Sequence, residues 1–243
     1  MSEYEAFSLI YDAVMANYDY DEAFRWVKQV AGERDRLDIL EMAMGTGKLT
    51  EKLTAMGTVV GFDRSEEMLM QAYRRLYKNP RAKWTEMDLR NFSFGKSFDL
   101  ILCLCDGLNY LPDEADLLAC FKQVRAHLKA GGRFLFDLNT AARFREYGDL
   151  KEIRDEEGYF LTWENHFDGD VNRYVITAFL EEEEDGSYER FDEIHEEYVY
   201  DEKTVEKCLR EAGLKALAAY DGYSFSPATP QSKRISFVAG IDE

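Results

Sequence analysis

Residues 39–63 read ILEMAMGTGKLTEKLTAMGTVVGFD, and the fold is decided there. An apolar run closes on Glu41, Gly45 and Gly47 make a turn, a helix follows, and a second apolar run ends in Asp63, eighteen residues beyond Gly45. Glycine admits backbone conformations and close approaches that a Cβ forbids, and a carboxylate after the second strand can accept both hydroxyls of a ribose. The order describes a nucleoside-binding βαβ unit.

Two common variants of that unit fit poorly. A dinucleotide fingerprint wants a third glycine where Thr50 stands, and Met44 is not small, which argues against a nicotinamide-dependent oxidoreductase. A phosphate loop needs glycine at Met42 and a hydroxyl at Leu49, and neither is present.

Further segments follow in order: GFDRSEEML (61–69), WTEMDLRNF (84–92), FDLILCLCDGLNYL (98–111) and LKAGGRFLFDLNT (128–140). With the glycine turn, these resemble the class I S-adenosylmethionine-dependent methyltransferases over about residues 36–140; the rest of the chain matches only loosely. The resemblance implies that Gly45 and Gly47 lie under the methionine and ribose of S-adenosylmethionine, and that Asp63 holds the ribose hydroxyls. It implies that Asp88 and the Leu89 backbone read the adenine edge, with Met68 packing on the ring. Tyr11 of a Tyr11-Asp12 pair and Glu41 complete this set. The chain departs from the family at Ala43 and Met44, where glycine and a small residue or cysteine are usual. We expect Ala43 to be tolerated without a positive φ.

The chain has 243 residues, 46% of them hydrophobic, enough for one α/β domain with an elaboration. Lys plus Arg number 30 against 48 Asp plus Glu, and the formal charge of −18 argues against nucleic acid and anionic membranes as partners. Arg74 and Arg75 read as solvating a helix face. The start, MSEYEAF, shows no leader pattern, and no apolar run reaches the roughly 18 residues of a span, so a cytoplasmic location is expected. Cys103, Cys105, Cys120 and Cys208 lack zinc-ligand spacing and read as core; no metal is expected. The sequence assigns no oligomeric state.

The expected fold is Rossmann-like and doubly wound, a mostly parallel sheet of about seven strands with an inserted antiparallel β cap. A helical cap (about 1–35) carries Tyr4, Phe7, Tyr11, Tyr18, Tyr20, Phe24 and Trp26, read mainly as core packing, with one or two tyrosines suited to a sulfonium by cation–π contact. The core covers about 36–140 and 201–243, alternating strands and helices, and Gly131 is expected to stop a helix capped by Asp113. Within the insertion (about 141–200), alternating runs at 159–167, 171–181 and 188–200 predict three strands, with turns at Asp168-Gly169-Asp170 and Asp185-Gly186. The acidic run 181–185 reads as a solvated hairpin end.

Methyl transfer from a sulfonium needs alignment and exclusion of water rather than a metal or a covalent nucleophile. The crevice at the carboxyl ends of parallel strands falls at 105–110 and 137–140, so Asp106, Asn109, Tyr110 and Asn139 are the candidate acceptor-binding residues. Tyr110 is the leading catalytic candidate, followed by Asp106 and by His166 and His195 of the cap as proton acceptors. The competing reading for the asparagines is loop hydrogen bonding, and for the histidines a polar sheet face. The expected activity is methylation of nitrogen or oxygen on a small molecule; the alternative is a non-catalytic nucleoside-binding regulator of the same fold.

Overall fold

Alternation along the strands shows a sheet filled from both sides. In the computed structural model, which describes residues 7–34, 36–181 and 186–241, β1 (Leu37–Met42) sends Leu37 and Ile39 to one face and Leu40 and Met42 to the other. β4 (Phe98–Cys103) likewise opposes Leu100 and Leu102 to Ile101 and Cys103. One face packs on α2 (Tyr20–Ala31) and α3 (Lys48–Leu53) through Trp26, Val27 and Leu53. The other meets α5 (Glu114–His127) and α7 (Glu202–Glu211) through Phe121, Val124 and Leu209. Strands apolar on both faces are what a sheet covered twice by helices requires.

The remaining core strands are β2 (Gly57–Asp63), β3 (Ala82–Glu86), β5 (Leu128–Asn139), β10 (Leu214–Asp221) and β11 (Arg234–Ile241), and the seven run in the order β10-β11-β5-β4-β1-β2-β3. β1 is parallel to both β2 and β4, while β11 is antiparallel to β5 and β10. This is the doubly wound, Rossmann-like architecture. The chain leaves β1 toward β2 on one side and later returns to β4 on the other, and the diverging connections open a crevice at the carboxyl ends of β1 and β4.

Asp113 caps α5 as expected, accepting from the Asp116 amide at 2.9 Å. The helix ends at His127 rather than Gly131, because the chain passes straight into β5. His127 secures that junction: Nδ1 bonds the Gln123 carbonyl at 2.8 Å and Nε2 accepts from the Phe94 amide at 2.9 Å.

The insertion differs from expectation in two ways. A helix, α6 (Ala141–Tyr147), precedes it, and its antiparallel sheet has four strands rather than three: β6 (Lys151–Glu156), β7 (Tyr159–Phe167), β8 (Val171–Glu181) and β9 (Tyr188–Tyr198), paired in that order. β6 escapes a hydrophobic pattern because it turns Glu152 and Arg154 inward and leaves Ile153 67% exposed, as a charged edge strand does. α1 (Phe7–Val14) belongs to this layer: Phe7, Ile10 and Val14 pack with Phe144, Leu161 and Ile176. Tyr4 and most of the acidic run, with Asp185 of its turn, lie outside the described residues.

Candidate active site

The glycine turn is built from left-handed backbone. Ala43, Gly45 and Gly47 have φ of 49°, 53° and 76°. The expectation that Ala43 avoids positive φ is therefore wrong: the turn imposes that conformation whatever side chain is present, at a cost on the order of 1 kcal/mol for a non-glycine. A Cβ on Gly47 would come within 2.8 Å of Leu76, whereas one on Gly45 would meet nothing within 4 Å, so Gly45 faces open space. Met44 is accommodated by a different glycine. Its side chain packs where Gly61 has none, beside Leu69, Ala72 and Leu76 of α4 (Glu66–Leu76).

Asp63 organises the turn. Its carboxylate accepts from the Gly45 amide at 2.8 Å and the Ser65 amide at 3.0 Å. Capping of α4 falls instead to the Ser65 hydroxyl, which accepts from the Met68 amide at 3.1 Å. Burial pushes the Asp63 carboxyl up, against the pull of those amides. Glu41, also buried, takes a hydrogen bond from the Thr50 hydroxyl and is pushed up to about 8, first by burial. Thr50, the residue that spoils a dinucleotide fingerprint, thus supports Glu41. Arg75 is not a solvated arginine: it ion-pairs with Asp12 and donates to the Thr46 carbonyl at 3.1 Å. With the Thr46 hydroxyl also on Asp12 at 2.8 Å, α1 is clasped to the turn.

These groups surround a cavity of about 320 Å³. Tyr11, Glu41, Ala43, Gly45, Asp63, Met68, Asp88 and Leu89 all line it; Gly47 does not, being turned toward Leu76. Asp88 is held by a forked contact from Arg90, Nε at 2.8 Å and Nη2 at 2.7 Å, which keeps its carboxyl below the usual range. Nothing in the sequence reading singled out Arg90.

A second cavity of about 750 Å³ adjoins the first, and Tyr11, Cys105 and Tyr110 line both. Behind its wall lies Asp137, fully buried, which accepts from the Asp106 amide at 2.7 Å, the Cys105 amide at 3.3 Å, Arg234 Nη1 at 2.8 Å and the Tyr223 hydroxyl. Those contacts hold Cys105 and Asp106 at φ of 63° and 57°, a strained pair fixed by its surroundings. Cys105 is thus a wall of both cavities rather than core, and burial pushes its thiol up, away from the reactive thiolate.

The acceptor candidates divide. Tyr110 and Asn139 line the second cavity; Asp106 does too, with its carboxylate engaged by Arg234 Nη2 at 2.6 Å. Asn109 is completely buried and serves the backbone: Nδ2 donates to the carbonyls of Asn139 at 3.1 Å and Tyr198 at 2.9 Å, and Oδ1 accepts from the Asn139 amide at 2.9 Å. His195 lies in the wall, with Nε2 3.0 Å from Glu193 and its ring 6.2 Å from that of Tyr110. His166 does not reach either cavity. It is half exposed on the outer side of β7, 3.7 Å from Glu164 and 3.9 Å from Asp149.

Sequence reading missed Glu197, Arg143 and Arg234, all in the second wall. A signal existed for Glu197: in β9 the residues Glu193, His195 and Glu197 are buried while Ile194 is 56% exposed, so the alternation runs polar inward. Burial, then the charge of Asp106, pushes Glu197 up from the carboxylate range; the Asn139 amide, 2.9 Å away, opposes this.

A family model described as a methyltransferase domain matches residues 39–132. A crystal structure of an S-adenosylmethionine-dependent methyltransferase from Clostridium acetobutylicum superposes with a TM-score of 0.87 at 33% identity, covering 99% of each chain. The chain is a class I S-adenosylmethionine-dependent methyltransferase. YqeM of Bacillus subtilis (strain 168), whose name proposes a methyltransferase, is 29% identical over 97% of this methyltransferase and 96% of its own length. The dTDP-3-amino-3,6-dideoxy-alpha-D-glucopyranose N,N-dimethyltransferase of Streptomyces fradiae is 35% identical over 95 residues, 39% of the methyltransferase and 36% of the relative. The methyltransferase is an enzyme that uses S-adenosylmethionine, and the smaller cavity suits that molecule. Its glycine turn leaves open the space a Cβ on Gly45 would enter, and Glu41, Asp63 and Asp88 are acidic groups in its lining. Among the described residues no helix is long and apolar enough to cross a membrane, and no group of three His, Cys, Asp or Glu is placed to hold a metal.

Proposed function

We propose that the methyltransferase moves a methyl group to nitrogen, or alternatively oxygen, of a small acceptor in the larger cavity. The observation that carries this reading is that the two cavities meet at Tyr11, Cys105 and Tyr110. Bound in the smaller cavity, S-adenosylmethionine supplies an electrophilic methyl on a sulfonium. Asp63 and Asp88 hold the ribose and adenine portions, the Gly45 backbone allows close approach, and Glu41 meets the amino group. Tyr110 orients the acceptor by its hydroxyl, and α1 with the inserted sheet excludes water. His195, beside Glu193, is the group placed to take a proton from an acceptor; Asp106, occupied by Arg234, is less suited.

Nitrogen is supported by the N,N-dimethyltransferase relative and by the buried acids Glu193 and Glu197 on the cavity side of β9. Four unpaired cysteines support a cytosolic enzyme. The net charge of −18 supports a small molecule over nucleic acid or an anionic membrane as partner. The test offers isotopically labelled S-adenosylmethionine and matched panels of small amines and alcohols, and follows labelled product and S-adenosylhomocysteine. Transfer to amines supports the reading, transfer to alcohols alone moves the acceptor atom to oxygen, and transfer unaffected by Tyr110→Phe, Asp106→Asn and His195→Ala places the acceptor elsewhere.

A further inference from the structure

Three arginines line the larger cavity, and two are already neutralised. Arg154 donates to Glu152 at 2.7 Å and to the Val14 carbonyl at 2.8 Å. Arg234 spans Asp137 and Asp106 at 2.8 and 2.6 Å. Arg143 is different. No acceptor meets its guanidinium among the described residues, its Nε is buried without a partner, and its fork lies over the Tyr147 ring, 5.0 Å from the centroid. The base of the side chain is fixed, because the Arg143 amide caps onto the Thr140 hydroxyl and the adjacent Phe144 is fully buried.

A guanidinium N–H drawn out of water with no acceptor, as at Arg143 Nε, is costly until an anion fills it. Stacking on Tyr147 sets the plane of the fork but offers no acceptor in that plane. The acids of the same wall are committed or remote. Asp106 and Glu152 belong to the other two arginines, and Glu197 to Asn139. Asp19, Glu22 and Asp221 are exposed at the rim. In a chain of charge −18, a cavity that keeps one cation without a counter-charge has a vacancy for an anion, and a planar fork matches the oxygens of carboxylate or phosphate.

We infer that Arg143 receives an anionic group of the acceptor, a carboxylate or a phosphate monoester, so that the acceptor is a small organic anion carrying the amine or hydroxyl to be methylated. This rests on the acceptor role proposed for the larger cavity, but the anion contact can be measured without turnover. In the full chain saturated with S-adenosylhomocysteine and labelled with 15N, the Arg143 Nε–Hε signal is assigned by its loss in Arg143→Met. Inorganic phosphate and acetate are then titrated separately, with sodium chloride holding ionic strength constant.

The Arg143 signal should shift saturably with at least one anion. The same anion, followed through the Trp163 indole N–H, should bind about tenfold more weakly to Arg143→Met and nearly normally to Arg143→Lys. A response to phosphate alone assigns a phosphorylated acceptor, a response to acetate alone a carboxylate, and a response to both an anchor for either. No shift beyond that caused by chloride, or full anion binding in an Arg143→Met variant that still binds S-adenosylmethionine, overturns the inference. Anion binding without methyl transfer to any amine or alcohol would sink the acceptor role and leave the anchor standing; methyl transfer without anion binding would sink the anchor alone.

Discussion

The two cavities of this methyltransferase are made of different materials. Much of the smaller one comes from a single βαβ passage and is shaped by backbone: left-handed turns at Ala43 and Gly45, with Asp63 taking the Gly45 and Ser65 amides. The larger one draws on α1, α2, the loop after β4, α6 and β5 to β11, and is shaped by side chains bonding one another: Asp137 with Arg234 and Tyr223, Asn139 with Glu197, Glu193 with His195. A backbone-made site keeps its form while side chains around it change. A side-chain-made site can be rewritten without disturbing the fold, which suits a constant methyl donor facing variable acceptors.

The comparison is broken most directly at Asp63. Asp63→Ala should weaken S-adenosylmethionine binding by about 1.5–3 kcal/mol, the range for a hydrogen bond to a charged group. Calorimetry on the folded variant would refute the assignment if affinity were unchanged. A smaller effect separates the cavities. Tyr110→Phe should lower methyl transfer about tenfold, within the range for loss of one hydrogen bond, with S-adenosylmethionine affinity intact. If affinity fell in step with turnover, Tyr110 would belong to the donor side. His166→Ala should leave both quantities unaltered.

Glu41 sharpens the contrast through pH. Its ordinary value is near 4.5 and in the fold it is pushed up to about 8. Below 4.5 it is neutral folded and unfolded; as pH rises toward 8 the unfolded chain ionises first, so the folded state loses stability across that window. Glu41→Gln should remove part of this decline, flattening the stability profile between pH 4.5 and pH 8 by a few kcal/mol, at about 1.4 kcal/mol per pKa unit. Melting curves of both proteins across that window test it: parallel declines would mean that Glu41 does not titrate there. Some decline should persist, because Glu197 is shifted in the same direction.

The smallest effect belongs to Ala43. Ala43→Gly should relieve left-handed strain of about 1 kcal/mol and add unfolded-state entropy of about 0.5 kcal/mol, a small net stabilisation with S-adenosylmethionine affinity unchanged within about twofold. Destabilisation in denaturant titration would mean that Ala43 is unstrained. A tenfold gain in affinity would mean that alanine degrades the site.

Legibility in the sequence follows the same division. Strands buried on two faces announce themselves as apolar runs, and Gly45, Gly47 and Asp63 fall within one short segment, so the core and the donor side could be read directly. The left-handed φ at Ala43 was not legible, because alanine gives no sign of the conformation that its turn imposes. β6 was missed because its alternation carries charges inward, and Asn109 was offered as a ligand group when its three hydrogen bonds are all to backbone. Arg143 and Arg234 lie far apart in the chain and share a wall only because β11 pairs with the end of β5, setting Arg234 opposite Asn139 just before α6, an arrangement that no local pattern encodes.

Asn109 has a consequence for grafting. Its one side chain grips the backbone at Asn139, where the excursion into the cap begins, and at Tyr198, where it ends. The two chain ends of the four-stranded cap are thereby held at a single buried amide, like a cassette with both leads soldered to one terminal. Closing such an excursion costs only about 0.6 kcal/mol more for each doubling of its length. A chimera joined just outside Asn139 and Tyr198 that keeps Glu196, Tyr198 and the cap residues packed under α1 should retain S-adenosylmethionine affinity while changing what it methylates.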